Sequence, residues 1–219
     1  NDAGGGIEDA GLTRLPALDA RTIPAVTVAH TSARVGDAAS AWETGVISHA
    51  NAAAAAEDFV GDDDFLMINS DNHYPLDAVR ALRNIAGPGL AAFERQALID
   101  KSNIPADRIQ KFAAIEIDSS DHMARVIEKP TDEQLAELGE DVFLSMNCWR
   151  LSPNIFKACR AIAPSPRGEY EITDAVQHCI NQLGETFTVI RCSSPVLDLS
   201  SQQDVAPVTK LLAGTDVSF

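Results

Sequence analysis

A chain of 219 residues is long enough for one large domain, or for a domain and a half. Its 45% apolar and 22% charged residues are an ordinary globular balance. Seventeen Lys and Arg against 32 Asp and Glu leave a net charge of −15, which repels phosphate backbones and makes nucleic acid and anionic membranes poor partners.

An enzyme with this charge that handles anionic substrates must concentrate its few cations locally or use a metal. No apolar run approaches the roughly 20 residues of a membrane helix, and no signal peptide is evident. The chain begins with Asn1, which points to a truncated start. Cys148, Cys159, Cys179 and Cys192 form no CxxC pair and no zinc spacing, so buried free thiols and a cytoplasmic location are expected.

In chain order, Ile23 to Ala29 reads as a buried strand and the Ala-rich stretch from Ala38 to Ala56 as a helix. After the polar turn Gly61-Asp62-Asp63-Asp64, Phe65 to Asn69 is the next strand. Leu76 to Ile85 is a helix, stopped by Gly87-Pro88-Gly89. Phe112 to Asp118 and Met123 to Glu128 flank Ser119-Ser120-Asp121-His122 as a hairpin. Thr131 is placed to cap a short helix that ends at Gly139. Phe143 to Trp149 is a further strand, and Ser152-Pro153 caps a helix. A helix capped by Thr173 stops at Gly184, and Thr188 to Cys192 is a strand. Ser201 to Leu212 is a last helix, kinked or delayed by Pro207. Helices between buried strands predict an α/β fold, with a mostly parallel sheet and an inserted β-hairpin.

Parallel sheets present ligands outside the carboxyl ends of their strands. Asp71 follows the apolar run Phe65-Leu66-Met67-Ile68, and Asp198 follows Val196-Leu197. Two carboxylates at one rim would hold Mg²⁺ and leave positions open for phosphate oxygens; the alternative is a pair of turn or cap residues. Lys129, before Pro130, is a point charge for a phosphate or a solvated surface lysine. In Arg167-Gly168-Glu169-Tyr170-Glu171, Gly168 permits a tight loop and Glu169 offers an acceptor for sugar hydroxyls; the alternative is a capped loop with its charges in water. The motifs GxxxxGK[ST], GxSxG, HExxH and GxGxxG are absent, and the five histidines form no ligand-spaced pair.

Taken in order, these segments resemble the sugar nucleotidyltransferase family of nucleoside-diphosphate-sugar pyrophosphorylases, including glucose-1-phosphate thymidylyl- and uridylyltransferases. "FVGDDDFLMINSDNHYP" resembles the family's strand ending in Gly-Asp-Asn, with Ser70 in place of the glycine. "VIEKP" resembles its Glu-Lys-Pro strand, and "RGEYEITDAV" its Arg-Gly-Glu segment. "VLDLSSQQDV" resembles its Trp-Leu-Asp segment, with Val196 in place of the tryptophan. The likeness covers about residues 56–214.

It implies a Rossmann-like sheet of the nucleotidyltransferase type. It also implies an Mg²⁺-dependent transfer of a nucleotidyl group from a nucleoside triphosphate to a sugar 1-phosphate. Asp71 and Asp198 would be the catalytic, metal-holding pair. Lys129 would meet the sugar phosphate, Gly168 and Glu169 the sugar, and Asn147 would lie on the sugar-contacting strand. The family opens with Gly-Gly-x-Gly-Thr-Arg-Leu and then a lysine; residues 1–18 lack that motif, and no lysine occurs before Lys101. Residues 1–56 are therefore expected to be an atypical α/β segment, a fragment or fusion remnant, with the nucleotidyltransferase-like domain at 57–219. The alternative function is a non-catalytic or truncated module that binds a sugar phosphate or nucleotide sugar.

Overall fold

The structure, a computed structural model, describes residues 25–28, 49–139 and 141–214. In chain order the elements begin with β1 (Ala25–Val28), α1 (His49–Ala55), α2 (Glu57–Val60), β2 (Phe65–Asn69) and β3 (Asn72–His73). Next come α3 (Leu76–Asn84), β4 (Gly89–Glu94), α4 (Arg95–Lys101), α5 (Ala106–Ile109), β5 (Ala114–Ile117) and β6 (Met123–Ile127). The chain continues through α6 (Asp132–Glu137), β7 (Phe143–Leu151), α7 (Asn154–Ala161), α8 (Ile172–Leu183), β8 (Thr188–Cys192) and β9 (Leu197–Asp198). A 3-10 turn, Gln202–Asp204, leads into α9 (Val205–Leu211). Of the helix predicted from Ala38, residues 38–48 lie outside the described residues, as does the glycine-bearing segment 1–18.

The central sheet has seven strands. Its main path is β1-β2-β7-β4-β8, with β5 on β7 and β6 on β5. β7 carries β2 against its last residues and β5 against its first, on one edge, and β4 on the other. Strands β1, β2, β4, β5 and β8 point one way; β6 and β7 oppose them. The prediction of an α/β architecture with an inserted hairpin holds, but most of the ladders are antiparallel. Parallel pairing is confined to β1–β2 and β4–β8, because the reversed β7 lies at the centre and meets three neighbours.

Alternation along the strands feeds two cores, one on each face. Phe65 and Met67 of β2, Leu90 and Ala92 of β4, and Trp149 and Leu151 of β7 pack with α1, α7 and α8. Leu66, Ala91, Phe93, Leu144, Met146 and Cys148 pack on the other face with α3, α4 and α5. Phe65 stacks on Phe156 at 5.5 Å, and Trp149 meets Phe187 edge-on at 6.4 Å. Each fully buried large side chain stabilises the fold by roughly 1.5–3 kcal/mol. The described part of residues 1–56 belongs to this structure: β1 pairs in register with β2, and Ala50 and Ala53 of α1 are buried.

Local signals explain some helix ends. Thr131 and Gln134 form a reciprocal capping box on α6, and Gly184 ends α8 at φ 70°. The Ser152 hydroxyl accepts from the Asn154 N–H at the start of α7. Pro207 delays the last helix as predicted: the 3-10 turn comes first, and the proline stands in the opening turn of α9, where its missing N–H is not needed. Thr173 departs from prediction. It is the second residue of α8 and buried, and its hydroxyl donates to Glu128 at 3.4 Å instead of capping the helix.

Candidate active site

β2 ends at Asn69, and the chain turns at once into the short strand β3. β3 pairs antiparallel with β9, which sets Asn72 opposite Asp198 and His73 opposite Leu197. The Leu199 N–H donates to the Asp71 carbonyl at 2.8 Å. Asp71 and Asp198, 127 residues apart in sequence (198 − 71), therefore stand on adjoining backbone at the carboxyl end of β2.

Their settings differ. Asp198 is 4% exposed and held on several sides. The Asn103 amide donates to the Asp198 carbonyl at 2.7 Å, and the Asp198 N–H donates to the Asn103 side chain at 2.8 Å. Asp198 Oδ1 accepts from both the N–H and the hydroxyl of Ser200. Its Oδ2 lies 3.6 Å from Arg108 Nη2. Asp71 Oδ1 is buried with no hydrogen-bond partner. A buried carboxylate oxygen left bare is costly, and a cation answers that cost. Among the described residues no group of three or more His, Cys, Asp or Glu gathers. The bare Asp71 oxygen beside Asp198 would suit a hard divalent ion that takes phosphate oxygens and water as further ligands, rather than an all-protein cage.

Tyr74 joins this corner to β7. Its hydroxyl accepts from the Asn69 N–H at 3.2 Å and donates to the Met146 carbonyl at 2.6 Å. Burial pushes the Tyr74 hydroxyl well above the ordinary phenol range, and the Cys148 thiol and the Asp71 and Asp198 carboxylates push the same way. It therefore remains a donor. The Met146 carbonyl is available because β7 bulges there. Between Leu90 and Ala92 on β4, β7 runs from Trp149 to Ser145, two extra residues. Asn147 lies at the bulge with φ 55°, accepts from Trp149 Nε1 at 3.3 Å, and has its amide nitrogen 3.5 Å from His49 Nε2.

α1 leads onward, because the Ala50 N–H donates to the Tyr170 carbonyl at 3.3 Å. The loop before Tyr170 is a tight turn: the Gly168 N–H donates to Ser165 O and the Ser165 N–H to Glu169 O, both at 2.8 Å. Gly168 has φ 78°, and a Cβ there would meet nothing, so backbone conformation alone explains the glycine. Arg167 stands 2.5 Å from Glu171, 3.3 Å from Glu169 and 3.8 Å from Glu128, which ties this loop to the strand before Lys129. Burial and the charge of Glu171 hold the Glu128 carboxyl above its usual range, against the pull of Arg167. Lys129 is exposed and has φ 47°.

Thus Asp71 and Asp198 stand on adjoining backbone beside Tyr74, whose hydroxyl reaches the carbonyl before Asn147, while Glu128, Glu169 and Glu171 meet Arg167, with Lys129 and Gly168 next to them in sequence; α1 links the two groups. Sequence reasoning missed Tyr74, Asn103, Arg108 and His49. Tyr74 lies within the segment first singled out, but the others carry no local signal, because each acts across the fold.

The nucleotidyl transferase family profile matches residues 25–194, more than half of the chain and starting well before residue 56. The chain is 35% identical over 134 residues to the low-salt glycan biosynthesis nucleotidyltransferase Agl11 of Haloferax volcanii, covering 58% of this chain and 32% of that protein. It is 34% identical over 165 residues to the glucose-1-phosphate thymidylyltransferase of Streptomyces griseus, covering 73% and 41%. The chain thus spans about a third to two-fifths of the length of these curated relatives. Among solved structures, UDP-glucose pyrophosphorylase complexed with UDP-glucose superposes with a TM-score of 0.60 at 15% identity, over 77% of this chain and 63% of that one, a likeness of fold. The chain belongs to the nucleotidyl transferase family.

Proposed function

We propose that the chain carries out Mg²⁺-dependent transfer of a nucleotidyl group from a nucleoside triphosphate to a sugar 1-phosphate. The observation that carries this reading is the adjoining pair Asp71 and Asp198, with Asp71 Oδ1 buried and bare. In this reading the two carboxylates hold the ion, whose contribution when bound is to neutralise and align phosphate oxygens. A sugar phosphate is already an anionic nucleophile, so no general base is required. Its oxygen bonds to the α-phosphorus in line while the bond to pyrophosphate breaks, and the protein's task is to position groups and offset charge. Lys129 binds the sugar phosphate. Glu169 accepts from sugar hydroxyls, with Gly168 shaping its loop, and Asn147 orients the sugar from the bulge of β7.

The relatives' names support the substrate class: one is a glucose-1-phosphate thymidylyltransferase and another a UTP–glucose-1-phosphate uridylyltransferase. A second reading is a non-catalytic sugar-phosphate or nucleotide-sugar binding module, for which the exposed Lys129 and the Arg167–Glu169 loop would be enough without the metal pair.

The test is pyrophosphate release with Mg²⁺, a panel of nucleoside triphosphates and glucose 1-phosphate. Release that depends on the sugar phosphate, and that falls about 100-fold or more in Asp71→Asn with the thermal unfolding midpoint unchanged, is the expected result. Turnover that is unchanged in Asp71→Asn would remove Asp71 from the mechanism. Calorimetric binding of a sugar phosphate or nucleotide sugar with no release would establish the second reading.

A further inference from the structure

Arg108, on α5, grips Asp204 with both arms of its fork: Nη1 to Oδ2 at 3.3 Å and Nη2 to Oδ1 at 3.1 Å. Its Nε is buried without a partner, so Asp204 supplies its hydrogen bonds. Asp204 is held in turn by the N–H and hydroxyl of Ser201 at 2.8 and 2.9 Å. Toward Asp198 the same guanidinium only approaches: Nη2 stands 3.6 Å from Oδ2, beyond a proper hydrogen bond. The orientation of Asp198 is already set by Asn103 on its backbone and Ser200 on Oδ1. What Arg108 gives Asp198 is therefore charge. A fixed positive charge beside a carboxylate competes with any cation that the carboxylate could take.

We propose that Arg108 is a built-in counter-charge that weakens, and so sets, the divalent-cation affinity of the Asp71–Asp198 pair, with Asp204 drawing it away from Asp198. The proposal rests on the reading of that pair as a cation site. A site tuned this way holds little ion at rest and fills when a polyphosphate arrives with its own.

Two substitutions move the affinity in opposite directions. Arg108→Gln removes the charge and keeps a donor for Asp204; it binds the ion about tenfold more tightly. Asp204→Asn leaves the whole Arg108 charge to Asp198; it binds roughly fivefold more weakly. A loss of structure alone would weaken both.

The experiment is calorimetric titration of the 219-residue chain with Mn²⁺, for the parent, Asp71→Asn, Arg108→Gln and Asp204→Asn, with melting curves to verify folding. Tighter binding by Arg108→Gln together with weaker binding by Asp204→Asn is the expected result. If the parent binds and Asp71→Asn does not, but Arg108→Gln binds equally or more weakly, the counter-charge is overturned and the cation site stands. If neither the parent nor Arg108→Gln binds, or Asp71→Asn binds as the parent does, both are overturned. Should Arg108→Gln fail to fold, Asp204→Asn decides: weaker binding supports the proposal, and equal or tighter binding overturns it.

Discussion

Asn147 and Lys129 both stand in the left-handed region, at φ 55° and 47°, where a non-glycine residue costs about 1–3 kcal/mol and persists only if its surroundings hold it. Lys129 was singled out from the sequence for its charge and Asn147 through the family resemblance; asparagine is one of the few side chains that tolerate this backbone, and lysine is not. At Asn147 the cause is visible: the β7 bulge turns the residue toward His49 and Trp149, and Tyr74 takes the carbonyl beside it. A β-branched side chain tolerates this conformation worst. Asn147→Val is expected to destabilise the fold by about 2 kcal/mol or more, while Asn147→Gly relieves the backbone and costs less, losing the Trp149 and His49 contacts without added strain. Denaturant unfolding of the two variants checks the order; equal losses would show that the bulge imposes no strain. Asp71 and Asp198 were legible because each follows an apolar run and lies in a recognisable segment. Asn103 and Arg108 were not, because their roles depend on a loop and a short helix reaching β9 from 95 and 90 residues away (198 − 103 and 198 − 108).

Among the elements, β4 is the clearest failure of sequence reading. "GLAAFE" is a strand between β7 and β8, buried from Gly89 to Phe93, yet it opens on glycine, contains two alanines, and follows a Gly-Pro that reads as punctuation. Its low strand propensity is overridden by burial on both faces. The glycine itself is required: Gly89 pairs with Thr188, and a Cβ there would collide with the Thr188 carbonyl oxygen and the Ile85 side chain. The backbone oxygen cannot move without breaking the β4–β8 ladder. Gly89→Ala is therefore expected to cost roughly 2 kcal/mol or more, read as a lower midpoint in denaturant unfolding at unchanged slope. A cost below about 0.5 kcal/mol would mean that the two strands can separate locally. The helices were easier to read, because caps such as Thr131 and Gly184 act within a few residues of sequence.

At the scale of the whole molecule, the α/β class was legible and the mostly antiparallel pairing of the strands was not. Apolar strands alternating with helices do point one way in five cases of seven. Periodicity, however, carries no information on which strand inserts between which, so the reversed β7 at the centre could not be read. β1 lies in the same sheet, and the family match begins at residue 25, so the break in sequence character near residue 56 is not a break in the sheet. The mini-sheet β3–β9 brings a residue from the first third of the chain onto backbone adjoining one from the last. The central claim is that Asp71 and Asp198 act as one unit on one ion. Mg²⁺-dependent pyrophosphate release by Asp71→Asn, Asp198→Asn and the double variant tests it most directly. Residues acting as a unit lose about the same activity singly as together, so the double variant should be no slower than the worse single one. Losses that multiply, or a single variant that retains full activity, would contradict the claim.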